Sequence, residues 1–334
     1  LSMMRFLTEV AETQEQGCEL LAELAPEIEE LRPRFLHEGY LEAVLAAMRR
    51  HTSSKKVQLM GCSLIETLAN DGVESRKRIG ELDGVEAVIE AMRLWPRNLD
   101  LEGQAQGALY LLANMCAENA AKIVECEGIK AVCMAMYKSP NALKVQETGC
   151  AVLRFLVADS EEVPEFVTDL GGMQMVVAAL ETFPESADIA EHGLAVLANL
   201  GWHSRENQDT MAEVGVIELA IKAMSTHAER PKVVAFACAA LESIANDHKA
   251  HRDLLAQRGA IEPIIEAMRA NLERANVQAY GCAALQSIAL GSFKNKRTIA
   301  KAGAEDLVLD AMEAHPRSWK LLDFGKMLLD TLDQ

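Results

Sequence analysis

The sequence repeats itself every 44 residues without an insertion or a deletion. An Ala-Met pair is one register of this repeat, and its second position falls at Met48, Met92, Met136, Leu180, Met224, Met268 and Met312. Another register holds only glycine or alanine, at Gly17, Gly61, Ala105, Gly149, Gly193, Ala237, Gly281 and Gly325. A fixed period of this length predicts an array of similar units, which bury their apolar faces against one another.

The composition and the local periodicity indicate that each unit is helical. Half of the residues are hydrophobic but only 4% are aromatic, whereas strands favour aromatic and β-branched residues. Over one period we predict a short helix at 73–82, a second helix at 84–94 and a longer third helix at 99–114. In the third, apolar residues recur with helical spacing at Leu101, Ala105, Ala108, Leu109 and Leu112.

The cysteines follow the same repeat. Five of them directly follow the small-residue register: Cys18, Cys62, Cys150, Cys238 and Cys282. A thiol that recurs at one helical position in successive units is typical of a small core residue. The alternatives are disulfide pairing and metal ligation, but neighbouring copies would be about 10 Å apart, beyond the reach of a disulfide.

The unit as a whole resembles the armadillo repeat. Its motif is VQxxGCxALxxxA, a polar turn, and a second segment ending in Ala-Met, and it is clearest in residues 277–312 (VQAYGCAALQSIALGSFKNKRTIAKAGAEDLVLDAM). The resemblance implies an all-α fold, a right-handed α-solenoid of about seven armadillo-type three-helix repeats with a C-terminal capping helix. We predict a single solenoid over 1–334. It divides into an N-terminal cap at 1–12, units at 13–56, 57–100, 101–144, 145–188, 189–232, 233–276 and 277–320, and a cap helix at 321–334.

Charge and motifs argue against several function classes. The net charge of −17 is unsuited to binding a phosphate backbone, so we expect no nucleic-acid partner. No apolar run approaches the ~20 residues of a membrane span. The chain carries no Gly-rich phosphate loop, no GxSxG or HExxH motif and no kinase signature, so we expect no catalysis and no cofactor. His248 and His251 lie three residues apart in a predicted turn, and two ligands without a third do not predict a metal site.

The resemblance implies that the third helices line an inner groove that holds an extended peptide. In importin-α-like members, a repeated tryptophan and asparagine pair lines this groove, and of the asparagine positions only Asn199 matches here. Other third-helix residues depart from the repeat pattern, and we predict that they bind the partner: Tyr110, Asn114, Arg154, Phe155, His192, Asn199, Trp202, His203, Asn246 and Tyr280. The alternative is that Phe155 and Trp202 fill the core, and that Asn114 and Asn246 cap helix ends.

These observations favour a non-catalytic scaffold or adaptor that binds a peptide or helix of another protein in its groove. The acidic charge favours a basic or extended segment as the ligand. Two alternatives remain open, the regulatory armadillo region of a larger signalling enzyme such as a kinase, and a structural subunit of a cytoskeletal or organellar assembly. The default compartment is the cytoplasm, with the nucleus as the alternative, and the sequence makes no prediction of oligomeric state.

Overall fold

A computed structural model describes residues 1–158, 160, 162–246 and 248–334, apart from the side chain of His203. The described residues form α-helices joined by short turns, with one 3-10 turn at Glu29–Leu31 and no strand among them. The predicted all-α fold is therefore confirmed. The chain divides into two compact units, Leu1–Val163 and Pro164–Gln334.

The first unit begins with a short helix and continues with the repeating pattern of two shorter helices and one long helix. Its helices are α1 (Ser2–Phe6), α2 (Ala11–Glu27), α3 (Arg32–His37), α4 (Tyr40–Arg50), α5 (Lys55–Ala69), α6 (Val73–Glu81), α7 (Gly84–Leu94), α8 (Leu99–Ala113), α9 (Ala117–Glu125), α10 (Gly128–Lys138) and α11 (Leu143–Ala158). The three helices predicted over 73–114 are present as α6, α7 and α8, each within one residue of its predicted ends.

The second unit keeps the same order of elements. Its helices are α12 (Val163–Asp169), α13 (Gly172–Thr182), α14 (Ala187–His203), α15 (Arg205–Glu213), α16 (Val216–Thr226), α17 (Pro231–Ala245), α18 (Lys249–Gln257), α19 (Ile261–Ala270), α20 (Ala275–Ala289), α21 (Phe293–Lys301), α22 (Ala304–Ala314) and α23 (Trp319–Asp333). The number of repeats and their boundaries stay predictions. Among the described residues, no helix combines the length and the apolar character needed to cross a membrane.

The long helices stack in order within each unit. In the first, α5 packs between α2 and α8, and α8 packs against α11; in the second, α17 packs between α14 and α20, and α20 packs against α23. The two registers that define the repeat meet at these helices. A methionine side chain lies against the glycine thirteen residues later at Gly17, Gly61, Gly149, Gly281 and Gly325, and Leu180 takes the place of the methionine at Gly193. A Cβ added to Gly149 would lie 2.6 Å from Sδ of Met136, and one on Gly281 would lie 2.6 Å from Sδ of Met268. The predicted core cysteines are buried, and burial raises the pKa of each thiol to about 12.

A buried glutamine joins the start of each of four long helices to the end of the helix before it. Gln146, for example, donates from Nε2 to the carbonyls of Met136 (2.9 Å) and Ser139 (3.0 Å). The same pair of bonds, to carbonyls ten and seven residues upstream, is made by Gln14, Gln58, Gln146 and Gln278. The last carbonyls of a helix have no partner within that helix, so these side chains satisfy groups that packing would otherwise bury without a bond.

Replacing Gln146 with methionine tests this role. The change keeps the volume of the side chain but removes both donors, so we expect the free energy of unfolding to fall by about 1–2 kcal/mol. Gln16→Met is the control, since Gln16 is exposed and surface changes alter stability by about 0.5 kcal/mol or less. Urea denaturation of both variants measures the difference, and equal stabilities would contradict the proposed role of the buried amide.

The turn before the second helix of a repeat contains a residue in the left-handed conformation, and this residue is not always glycine. The left-handed position is occupied by Gly39, Gly171, Gly215, Gly259 and Gly303, but in two repeats by Asp83 (φ 61°) and Glu127 (φ 55°). In those two repeats the glycine comes one residue later, and it is needed for space: a Cβ on Gly84 would lie 2.9 Å from the carbonyl oxygen of Ile79. The recurring glycine therefore has two separate causes.

Candidate functional site

In the first unit, three of the predicted partner-binding residues form one cluster between α8 and α11. The rings of Tyr110 and Phe155 have centroids 5.4 Å apart and are tilted by 59°. The guanidinium carbon of Arg154 lies 5.8 Å from the centroid of the Phe155 ring. All three side chains are half-buried. Phe155 therefore keeps part of its ring accessible instead of filling the core.

Two of the predicted residues lie at helix ends. Asn114 is the C-cap of α8 and Asn246 is the C-cap of α17. The carbonyl of Asn114 accepts a 2.6 Å hydrogen bond from Arg76. Both asparagines therefore stand at C-cap positions, as the alternative interpretation predicted, and their binding of a partner stays a prediction.

In the second unit, α14 carries most of the remaining predictions. Asn199 donates from Nδ2 to the carbonyl of Ala195, one turn earlier, at 2.9 Å. Trp202 is 46% exposed, so it is not core filler. His192 is half-buried, and the side chain of His203 lies outside the described residues. Helix α14 therefore carries a half-buried imidazole, that of His192, and an exposed indole, that of Trp202.

The sequence analysis missed part of an aromatic row across the second unit. Four residues occupy equivalent positions on successive long helices, 44 residues apart, and all are half-buried: His192, Phe236, Tyr280 and Phe324. We call them the aromatic row. A cleft of about 400 Å³ is lined by Phe236 and Tyr280 together with Lys232, Glu273 and Arg274. The sequence analysis missed Phe236 and Phe324. Phe236 lies 44 residues after His192 and Phe324 lies 44 residues after Tyr280, so applying the repeat length to the predicted residues would have identified both.

Two groups of three side chains lie four repeat lengths apart in the sequence. Each group has a glutamate on one long helix, a hydrogen-bonding side chain on the next and a lysine on the third. In the first unit, Gln104 donates from Nε2 to the Glu66 carboxylate. Burial raises the pKa of Glu66, while the charge of Lys144 and the bond from Gln104 act against that rise. The three residues come from α5, α8 and α11, so each group spans three successive long helices.

The equivalent group in the second unit is Glu242, Tyr280 and Lys320. The Nζ of Lys320 donates to the Tyr280 hydroxyl at 2.9 Å and lies 4.3 Å from the centroid of its ring. Burial raises the pKa of Glu242 to about 7, and the charge of Lys320 only partly opposes this. The second unit therefore holds a buried carboxyl group whose pKa is raised to about 7 and which feels the charge of Lys320, and such perturbed groups are candidates for functional sites.

The sequence analysis predicted that the two histidines of the HKAH segment lie in a turn, and this prediction is wrong. Both lie at the start of a helix. His248 is the N-cap of α18, and its Nδ1 accepts the backbone N–H of His251 at 3.3 Å. His251 lies in the first turn of that helix, because the capping bond from His248 starts the helix at Lys249.

Known structures share the fold at low sequence identity. A designed armadillo repeat protein, YIII(Dq)4CqI, superposes with a TM-score of 0.61 at 18% identity over 74% of this chain and 99% of its own. Another, YIII(Dq.V1)4CPAF in complex with the peptide (KR)4, gives 0.60 at 16% identity over 74% of this chain and 99% of its own. A chain from a structure titled for a phosphorylation switch that controls the interaction between cadherin and beta-catenin gives 0.76 at 16% identity, over 98% of this chain and 58% of that one.

These likenesses establish the armadillo fold. No curated protein matches the chain in sequence. The family model described as LRRK2 ARM repeat matches residues 29–253 and 168–324. Because these ranges together span most of the chain, the protein belongs to the LRRK2 ARM repeat family.

Proposed function

We propose that this chain is a non-catalytic scaffold that binds an extended segment of another protein across the long helices of its second unit. The observation that carries the proposal is the aromatic row, in which half-buried rings occupy the same position on α14, α17, α20 and α23. Rings that are held by packing but partly accessible provide apolar contact area at little cost in conformational entropy, and such residues dominate binding energies.

The spacing of the row suits an extended ligand. Packed helices lie about 10 Å apart, so α14 to α20 spans about 20 Å. An extended chain advances about 3.3 Å per residue, so about six residues would cross these three helices. The cleft between Phe236 and Tyr280 would receive one side chain of that segment.

The net charge of the chain, −17, supports a basic segment. Glu191 on α14 is 7% exposed and forms an ion pair with Lys232 at 3.4 Å, and Glu242 on α17 is 6% exposed. A cationic side chain of a partner would give either carboxylate a further opposite charge in a partly desolvated setting. A basic ligand is also supported by the designed armadillo repeat protein that was solved in complex with the peptide (KR)4.

The test compares binding of a fluorescein-labelled (Lys-Arg)4 peptide by the wild type and by the double variant Phe236→Ala/Tyr280→Ala. We expect the double variant to bind at least about 30-fold more weakly, since a hot-spot residue contributes about 2 kcal/mol or more. Fluorescence anisotropy gives the Kd values.

Phe293→Ala is the matched control. Phe293 lies at the start of α21 and is 81% exposed, so its removal deletes an aromatic ring outside the row. We expect its Kd to equal that of the wild type. An unchanged Kd in a double variant with a native circular dichroism spectrum would contradict the proposed binding face.

A further inference from the structure

Helix α21 carries a strongly basic surface in a chain whose net charge is −17. Its 9 residues, FKNKRTIAK, include three lysines and one arginine but no acidic residue. We call these four cations the basic patch: Lys294, Lys296, Arg297 and Lys301. Lys296 is half-buried, and the other three side chains are exposed.

The cations of the basic patch have no acidic partner within the part of the chain that the structure describes. On the equivalent helices of the first unit, Arg78 pairs with Glu42 at 3.4 Å and Lys122 pairs with Glu86 at 3.3 Å. None of the four cations of α21 forms an ion pair or a side-chain hydrogen bond with another described residue. Four neighbouring positive charges that the fold leaves unneutralised are expected to attract an anionic partner.

Two exposed apolar side chains lie at the N-terminal end of the patch. Phe293 is the first residue of α21 and is 81% exposed, and Leu290, the C-cap of α20, is 40% exposed. Phe293, Arg297 and Lys301 follow one another at intervals of four residues, so they lie on one side of the helix. The buried Ile299 lies on the opposite side. The outward side of α21 is therefore cationic, with an aromatic ring at its end.

Hydrogen bonds hold the turn before α21 in a fixed conformation. The Oγ atom of Ser292 accepts the backbone N–H of Asn295 at 3.4 Å, and Nδ2 of Asn295 donates to a carbonyl of α20 at 3.0 Å. Arg252 of α18 donates from Nη1 to the carbonyl of Leu290 at 3.3 Å. The exposure of Phe293 is therefore a property of the folded turn and not of a frayed helix end.

This combination of side chains fits the surface of an anionic phospholipid bilayer. Phe293 and Leu290 can enter the boundary between headgroups and acyl chains, while the adjacent cations meet the lipid phosphates. An acidic peptide would need polar groups for its backbone, but Ser292 and Asn295 already form bonds within the chain. A nucleic acid strand would extend along the acidic remainder of the chain. A bilayer meets the protruding residues, and salt screens charges more than about 8 Å away.

We propose that the basic patch, together with Phe293 and Leu290, docks this protein on the surface of an anionic phospholipid membrane. The contact is peripheral and requires no membrane-spanning helix. Each cation near an anionic surface strengthens binding about fivefold, and insertion of the aromatic ring adds about tenfold. The patch lies on a first helix of a repeat, whereas the aromatic row lies on the long helices, so the inference does not depend on the proposed peptide binding.

The test is sedimentation of the full chain with vesicles of phosphatidylcholine, alone or mixed with phosphatidylserine in a three-to-one ratio. We expect the wild type to bind the mixed vesicles and not those of phosphatidylcholine alone. Binding should weaken as the salt concentration rises, because salt screens the attraction between the cations and the anionic lipid. Titration with lipid gives the apparent Kd.

The double variant Arg297→Glu/Lys301→Glu removes two cations and adds two negative charges. We expect its apparent Kd for the mixed vesicles to rise at least about 25-fold. The matched control is Lys130→Glu/Lys222→Glu, which makes the same change in net charge at two exposed lysines outside the patch. This control should bind the vesicles as the wild type does.

Phe293→Ala tests the apolar part of the surface, and we expect it to weaken binding about tenfold. Its control is Tyr137→Ala, which removes a ring of the first unit that is 70% exposed and should leave the apparent Kd unchanged. Failure of the wild type to bind the mixed vesicles, or equal Kd values for the wild type and Arg297→Glu/Lys301→Glu, would overturn the proposal. So would binding of a poly-glutamate peptide or a poly-dT oligonucleotide without binding to vesicles, which would assign the patch to that class of partner.

Discussion

Gly149→Leu is expected to destabilise the first unit by about 3 kcal/mol or more, the upper part of the range for overpacked cores. Gly149 lies on α11 where α10 crosses it, and a single added Cβ would already lie 2.6 Å from Cγ and Sδ of Met136 and 3.0 Å from Oε1 of Gln106. Leucine adds three further carbon atoms in the same space. Its better helix propensity returns only about 1 kcal/mol, so the steric effect decides the sign.

The fluorescence of Trp95, the tryptophan of the first unit, reports this change in a background where Trp202 and Trp319 are phenylalanine. Urea denaturation then gives the loss of stability of that unit. Gly149→Ala is the control, because Ala105 and Ala237 stand naturally in the same register beside Met92 and Met224, and a flexible methionine can therefore accommodate one methyl group. If the leucine variant is as stable as the alanine variant, the methionine does not fill this space.

The repeat predicted the helices because its registers report packing that is the same in every unit. Gly149 lies thirteen residues after Met136 in the sequence, and this spacing brings the two side-chain positions into contact. Gly281 and Met268 have the same spacing and the same contact. The sequence was less informative about the turns, where Asp83 and Glu127 adopt the left-handed conformation. Local hydrogen bonding and the glycine that follows each residue allow the left-handed conformation. Neither feature gives a recurring glycine at the left-handed position itself, so the repeat pattern does not reveal it.

The candidate sites were predicted less completely, for a different physical reason. Each needs side chains that are close in space but far apart in sequence. The sequence analysis considered His248 and His251 without Asp209, which comes from the preceding repeat and contacts both rings. The Glu242 group brings in Lys320 from two long helices further on. Deviation from the repeat identified Tyr280 but not its partners. Phe236 was missed because a phenylalanine in a helix is also a normal core residue.

Glu242→Gln is expected to stabilise the second unit, and the gain should grow with pH. Burial raises the pKa of Glu242 from 4.5 to about 7 in the folded chain. Between these values the folded state holds a proton that the unfolded state has lost, so the stability of the wild type falls as the pH rises through this window. At 1.36 kcal/mol per pKa unit, the loss is about 3 kcal/mol once the pH is above 7, and a neutral glutamine avoids it.

Urea denaturation at pH 5 and at pH 8 measures this difference through the fluorescence of Trp202 and Trp319, in a background where Trp95 is phenylalanine. We expect Glu242→Gln to exceed the wild type in stability by about 3 kcal/mol at pH 8 and by much less at pH 5. Glu273→Gln is the control because Glu273 is exposed, and a difference that is the same at both pH values would contradict the mechanism.

A buried carboxylate that lowers stability at neutral pH is the kind of residue that function retains at a cost in folding. If a basic partner segment binds beside Glu242, its positive charge removes that cost, so the variant that gains stability should also lose affinity for the (Lys-Arg)4 peptide.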